Sequence, residues 1–151
     1  ILGNHEWWTD PGWALALNEA DIRVIEGSSD TLFIQDSELC LRGLGDAYTG
    51  NYIPTPFHET CQGIRITLTH DPLAIQLDDQ GGLYLAGHTH CGQFNLPLLK
   101  PWWSPTNADS EFLCGLGSKD DKLWLVSAGV GTSILPLRWG APAGIEFITI
   151  N

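Results

Sequence analysis

Two histidines set two residues apart, in Gly87-His88-Thr89-His90, are the side chains of this chain best suited to chemistry. Neutral imidazole is the commonest side-chain metal ligand, and it also serves as an acid or base near neutral pH. The pair follows a short apolar run, Leu83-Tyr84-Leu85-Ala86, which reads as a buried strand. Ligands of open α/β sheets bind just past the carboxyl ends of strands, where this loop would lie. Alone, a His-x-His also fits a polar turn with two satisfied imidazoles. Two further stretches add weight to the site reading. Gly3-Asn4-His5-Glu6 follows the apolar Ile1-Leu2, and Thr69-His70-Asp71-Pro72 follows Ile64 to Leu68. His70, His88, His90 and the Asn4–His5 pair thus stand at the carboxyl ends of three apolar runs. A site at one edge of a sheet produces that repeated placement.

Those runs belong to a chain of 151 residues, long enough for one domain with a core. Hydrophobic residues make up 43%, which fits a folded rather than a disordered chain. Net charge is −11, so there is no basic footprint for nucleic acid. Anionic substrates stay open, because bound cations would invert the local field. No apolar run reaches the ~18 residues of a membrane span, and no signal peptide is visible. The chain contains no Met and starts Ile-Leu-Gly-Asn, so it reads as the interior of a longer protein. Cys40, Cys61, Cys91 and Cys114 are widely spaced without a Cys-x-x-Cys, in a chain large enough to fold unstapled. Free thiols are expected. Cys91 beside His90 suggests a zinc ligand, but no second thiolate is near in sequence.

In order along the chain, Asn4 and His5 are expected on a loop, followed by a helix capped at Thr9 or Asp10 and reaching about Ala20. Trp7 and Trp8 read as packing around that loop. Strands are expected over Asp21 to Ile25, Thr31 to Gln35, Glu38 to Leu44, Ile64 to Leu68 and Leu123 to Val126. Gly45-Asp46 reads as a turn rather than a metal ligand, and His58 as a surface residue. A short helix follows Pro72 to Leu77. Phe94 to Lys122 forms a long connection rich in Pro and Trp, of the length often found in lids or binding loops. Gly144 to Ile150 is expected to close the sheet.

The ordered set Gly3-Asn4-His5-Glu6, Thr69-His70 and Gly87-His88-Thr89-His90 resembles the calcineurin-like metallophosphoesterases. The tail from Ser127 to Gly144, with Thr132-Ser133, Pro136, Arg138, Gly140 and Pro142, resembles their bacterial phosphodiesterase branch. The resemblance implies an α/β fold: a two-sheet β-sandwich flanked by helices, here lacking its amino-terminal strands. Residues 1–151 would be the carboxyl-terminal part of that single domain. It implies two divalent metal ions, Mn, Fe or Zn, with Asn4, His70 and His88 on one and His90 on the other. His5 would be the acid that protonates the leaving oxygen. The family's Asp-x-His and Gly-Asp-x-x-Asp motifs, which supply the remaining ligands, do not occur in this sequence. The intact protein is therefore expected to be the enzyme, and this stretch alone to be inactive.

Two other readings compete with this one. A degenerate module would bind metal weakly or act as a scaffold. A barrel-type metal amidohydrolase would need further histidines downstream, and none follows His90. The expected substrate is a phosphate-ester small molecule or a lipid-linked phosphoester, with Trp102 and Trp103 placed at a lipid-facing rim or buried. A missing upstream segment would allow membrane association. Compartment stays open between cytoplasm and cell envelope.

Overall fold

The structure, a computed structural model, describes residues 1–95 and 104–149. Trp102, Trp103 and Ile150 lie outside the described residues.

Among the described residues, three α-helices and six strands form a mixed α/β arrangement. They are helices α1 (Asn4–Thr9) and α2 (Trp13–Glu19), strands β1 (Ser29–Ile34), β2 (Ser37–Gly43) and β3 (Ile64–Leu68), helix α3 (Leu73–Leu77), and strands β4 (Gly82–Ala86), β5 (Gly115–Lys119) and β6 (Lys122–Val126). One six-stranded sheet runs in the order β1-β2-β3-β4-β6-β5. Strands β2, β3, β4 and β6 are parallel, with β1 and β5 antiparallel at the two edges. None of the described helices is long and apolar enough to cross a membrane.

The register separates two faces. Side chains opposite one another in paired strands share a face. One face carries Arg42, Thr67, Tyr84, Trp124 and Val126. There α3 contributes Ala74 and Ile75 to a core with Leu44, Tyr84, Phe112 and Trp124. Arg42 is fully buried within this layer. Its guanidinium pairs with Asp78 and donates to Thr67 Oγ1 at 2.8 Å, the Thr55 carbonyl at 2.8 Å and Tyr84 Oη at 3.0 Å. The other face carries Leu41, Ile66, Leu83 and Leu123 in one row, and Leu68, Leu85 and Leu125 in the next. A row of aliphatic side chains on this second face, opposite the packed first one, is the mark of parallel strands buried between two layers. Yet Ile64 and Leu123, on this second face, are 39% and 47% exposed. The described residues contain one sheet, and the expected second sheet is not among them.

Several expectations need correction. Asn4 and His5 lie in the first turn of α1 rather than on a loop, because Glu6 Oε2 accepts the Gly3 amide at 2.8 Å and caps a turn there. Helix α2 begins at Trp13, two residues later than its proline suggests. Asp21 to Ile25 forms no strand, since only Glu26 bridges to Gly43. Residues 144–149 form no strand either. The long connection instead contains β5. The four cysteines are not free thiols: Cys40 pairs with Cys61, and Cys91 with Cys114. That removes Cys91 as a zinc ligand, because its sulfur is bonded to another sulfur.

Candidate metal centre

Three donor atoms from three segments meet beyond the carboxyl ends of β3 and β4. His70 Nε2 lies 2.9 Å from Asn4 Oδ1 and 2.9 Å from His88 Nδ1. His70 follows β3, His88 follows β4, and Asn4 opens α1. Gly3 makes that approach feasible: a Cβ there would stand 2.8 Å from the His70 ring.

The geometry poses a proton problem. A neutral His70 offers at Nε2 either one hydrogen or one lone pair. Asn4 Oδ1 is an acceptor, and His88 Nδ1 also faces that single atom. One hydrogen at best serves the two contacts as a fork, and a lone pair at Nε2 opposes that of Asn4. A cation shared by the three would receive a lone pair from each. Burial holds the His70 pKa down at about 4, and the neighbouring His88 adds to the effect. His88 is lowered as well, first by burial. Both imidazoles are therefore neutral at pH 7, as metal ligation requires. His88 Nε2 is buried and has no hydrogen-bond partner. The donor set of two imidazoles and an amide oxygen fits a borderline divalent ion such as Mn, Fe or Zn. Among the described residues, no group of three or more His, Cys, Asp or Glu side chains is placed to hold a metal ion.

A cavity of about 620 Å³ opens over the triad and is also lined by His5 and His90. His5 is exposed and stacks on Trp8, ring centroids 5.6 Å apart. His90 stands apart from the triad. Its Nδ1 lies 3.3 Å from Arg138 Nη2, and its pKa is lowered by burial and then by the Arg138 charge. The loop carrying these histidines is unusual in its backbone: His88, His90, Cys91 and Gln93 all have positive φ, from 47° to 65°. Such conformations are uncommon away from glycine and gather where function over-determines the backbone.

The nearby acids are engaged elsewhere. Asp46 is buried and accepts from the Tyr48 and Thr49 amides and Thr49 Oγ1, which agrees with a turn. Asp71 Oδ1 accepts from Thr106 Oγ1 and the Leu73 amide. His58 is exposed and bonds Thr60, as expected of a surface residue. Trp8, expected to pack around its loop, is 61% exposed and borders the cavity, as do Tyr48 and Ile134, which no sequence signal singled out. The exposure of Trp8 was not legible from a Trp-Trp pair, which packs as readily as it protrudes.

Comparison with known proteins agrees with the motifs. The chain is 29% identical over 118 residues to phosphodiesterase YaeI of Escherichia coli, covering 77% of this chain and 43% of that protein. It is 28% identical over 170 residues to a transmembrane protein with metallophosphoesterase domain of Danio rerio, covering 99% and 37%. It is 29% identical over 161 residues to the uncharacterized metallophosphoesterase YkuE of Bacillus subtilis, covering 100% and 55%. The chain thus spans about half or less of the length of these relatives. No protein-family model matches it, and no solved structure does.

Proposed function

Starting from this kinship with metallophosphoesterases, we propose that the chain is the carboxyl-terminal part of a metal-dependent phosphoesterase domain that cleaves phosphodiester or phosphomonoester bonds. The observation that carries the reading is the meeting of Asn4 Oδ1 and His88 Nδ1 at His70 Nε2. These three would hold one divalent ion, and His90 would contribute to a second. Such a pair supplies Lewis-acid polarisation of the phosphoryl oxygen and a nucleophile at neutral pH.

The chain's own residues supply the remainder. His5, exposed in the cavity beside Asn4, would give a proton to the departing oxygen. Tyr48 stacks on His88 at 4.6 Å and limits the swing of that ring. Arg138 holds the His90 side of the cavity. The aliphatic face of the sheet supports a second layer of strands supplied by other parts of the protein, which would complete a two-sheet sandwich. The same parts would bring the carboxylates that balance the metal charge. The two disulfides favour the cell envelope over the cytoplasm.

The complete protein is expected to hydrolyse bis-p-nitrophenyl phosphate in a Mn²⁺-dependent reaction, and His88→Ala to lower the rate by about 100-fold or more. Residues 1–151 alone should not turn over. Turnover by 1–151 that His88→Ala abolishes would refute the incomplete-site reading. A complete protein that binds metal without turnover would be the degenerate or scaffold module instead.

A further inference from the structure

The cavity wall formed by Thr132, Ser133 and Ile134 is held with unusual care. Gln93, only 2% exposed, donates from Nε2 to the carbonyls of Ser133, Leu135 and Leu137 at 2.9–3.0 Å. Its Oε1 accepts the Ser133 amide at 2.7 Å. Arg138 gathers the carbonyls of Ala128 at 2.7 Å, Gly129 at 3.3 Å and Ala141 at 3.1 Å, together with that of Gly131, and also reaches the His90 ring. The loop after β6 is thereby tied to the loop that carries His88 and His90.

The tip that these bonds hold is strained. Ile134 has φ 62°, a left-handed conformation that a β-branched residue adopts only as an outlier. Its side chain is 86% exposed, so core packing does not explain the conformation. Strain of this kind gathers at ligand clamps. On the α1 side the cavity is bordered by Trp8, 61% exposed. Trp8 meets Tyr48 edge-on at 5.9 Å, and Tyr48 stacks on His88. A polar floor of histidine and asparagine thus has apolar rims from separate segments. Small-molecule sites are built this way, with apolar walls for bulk and a few polar groups for orientation.

We propose that Ile134 and Trp8 form an apolar clamp for the organic group of the phosphoester, so that the preferred substrates carry a bulky apolar alcohol, aryl or alkyl, rather than a small one. The inference rests on the phosphoesterase reading above. Gln93 and Arg138 are positioning residues: they hold the tip and touch no substrate.

The test uses the complete protein with Mn²⁺ and p-nitrophenyl phosphodiesters whose second alcohol is methyl, phenyl or hexyl, so that the leaving group is constant. We expect kcat/KM to rise at least about tenfold from methyl to the better of phenyl and hexyl. Preference for phenyl marks an aromatic group and preference for hexyl a lipid chain. Ile134→Asn should bring the ratio near one while raising or keeping Tm, because asparagine accepts the left-handed backbone. Gln93→Glu, which cannot donate to three carbonyls, should lower the ratio too. A variant that merely loosened the fold would slow all three esters alike. Calorimetric binding of methyl- and phenylphosphonate gives the same comparison without turnover. Esters hydrolysed with equal kcat/KM, or a preference that survives Ile134→Asn, would overturn the clamp and leave the phosphoesterase reading standing. Phosphonates that discriminate, with no ester hydrolysed, would support the clamp and overturn that reading.

Discussion

The two disulfides provide an internally controlled test of how the histidine loop is held. Cys40–Cys61 and Cys91–Cys114 join residues 21 and 23 apart. Restricting the unfolded chain over loops of that length is worth about 3 kcal/mol for each bridge. They are therefore matched in stabilisation and differ in place. Cys40–Cys61 lies in a small cluster with Phe57. Cys91 follows His90 within the left-handed run, and Cys114 follows Leu113, whose carbonyl accepts Thr89 Oγ1 at 2.7 Å. Replacing either pair by alanine in the complete protein should lower the unfolding free energy by about 3 kcal/mol in urea. Only Cys91→Ala with Cys114→Ala should weaken Mn²⁺ binding, by roughly 10–100-fold in titration calorimetry, the size of effect seen when the support behind a metal ligand is lost. Equal losses of affinity from the two pairs, or none from the second, would refute the idea that this bridge holds the ligand loop.

Two predictions concern stability alone. Asp78→Asn leaves the Arg42 guanidinium buried without its counter-charge, and unfolding free energy should fall by about 3–5 kcal/mol in denaturant titration; a loss below 1 kcal/mol would mean that water reaches the pair. For the metal-free protein, the folded pKa of His70, about 4, lies below the ordinary 6.5, and that of His88 is lowered too. Between those values the unfolded chain binds more protons, so this stability is complete above pH 6.5 and is lost as pH falls towards 4. Urea midpoints in chelator should drop over that window, and a flat profile would show that the two rings are not buried as neutral groups.

The parts of the fold that could be read from sequence are those where burial dictates residue type. β4 and β6 stand out because both faces of each strand carry apolar side chains, and β3 because apolar and polar residues alternate along it. β5 does not, since Gly115-Leu116-Gly117-Ser118-Lys119 lacks an apolar pattern. Its reason is tertiary: the Trp124 indole lies over Gly117 and leaves no room for a Cβ. The disulfides escaped notice because cysteine spacing says nothing about which strands become neighbours. Cys40 and Cys61 meet only because β2 and β3 pair in parallel. At the site, the meeting of Asn4, His70 and His88 was legible from their places at the ends of apolar runs. The hold of Gln93 and Arg138 on the loop after β6 was not, because hydrogen bonds to backbone carbonyls impose no residue pattern on the partner.

In the proposed centre, charge is the reason the gathered donors would need partners from the rest of the protein. Asn4, His70, His88 and His90 would all be neutral ligands, so a divalent ion among them would keep its full charge in a half-buried cavity. A second ion nearby would be repelled strongly, because partial burial weakens solvent screening. The surplus of acids over bases in the chain does not relieve this. Asp46 spends its carboxylate on the turn at Thr49, and Asp71 spends one oxygen on Thr106 and Leu73. The other Asp71 oxygen is buried without a partner, and burial raises that group's pKa, so it is held towards the neutral form. Two metals need anionic ligands, and none of the described carboxylates joins the triad. Burial, the first cause of the lowered pKa of both triad histidines, leaves the site favouring lone pairs over protons. A carboxylate brought by the rest of the protein would therefore do two things at once, neutralising the first ion and making room for the second.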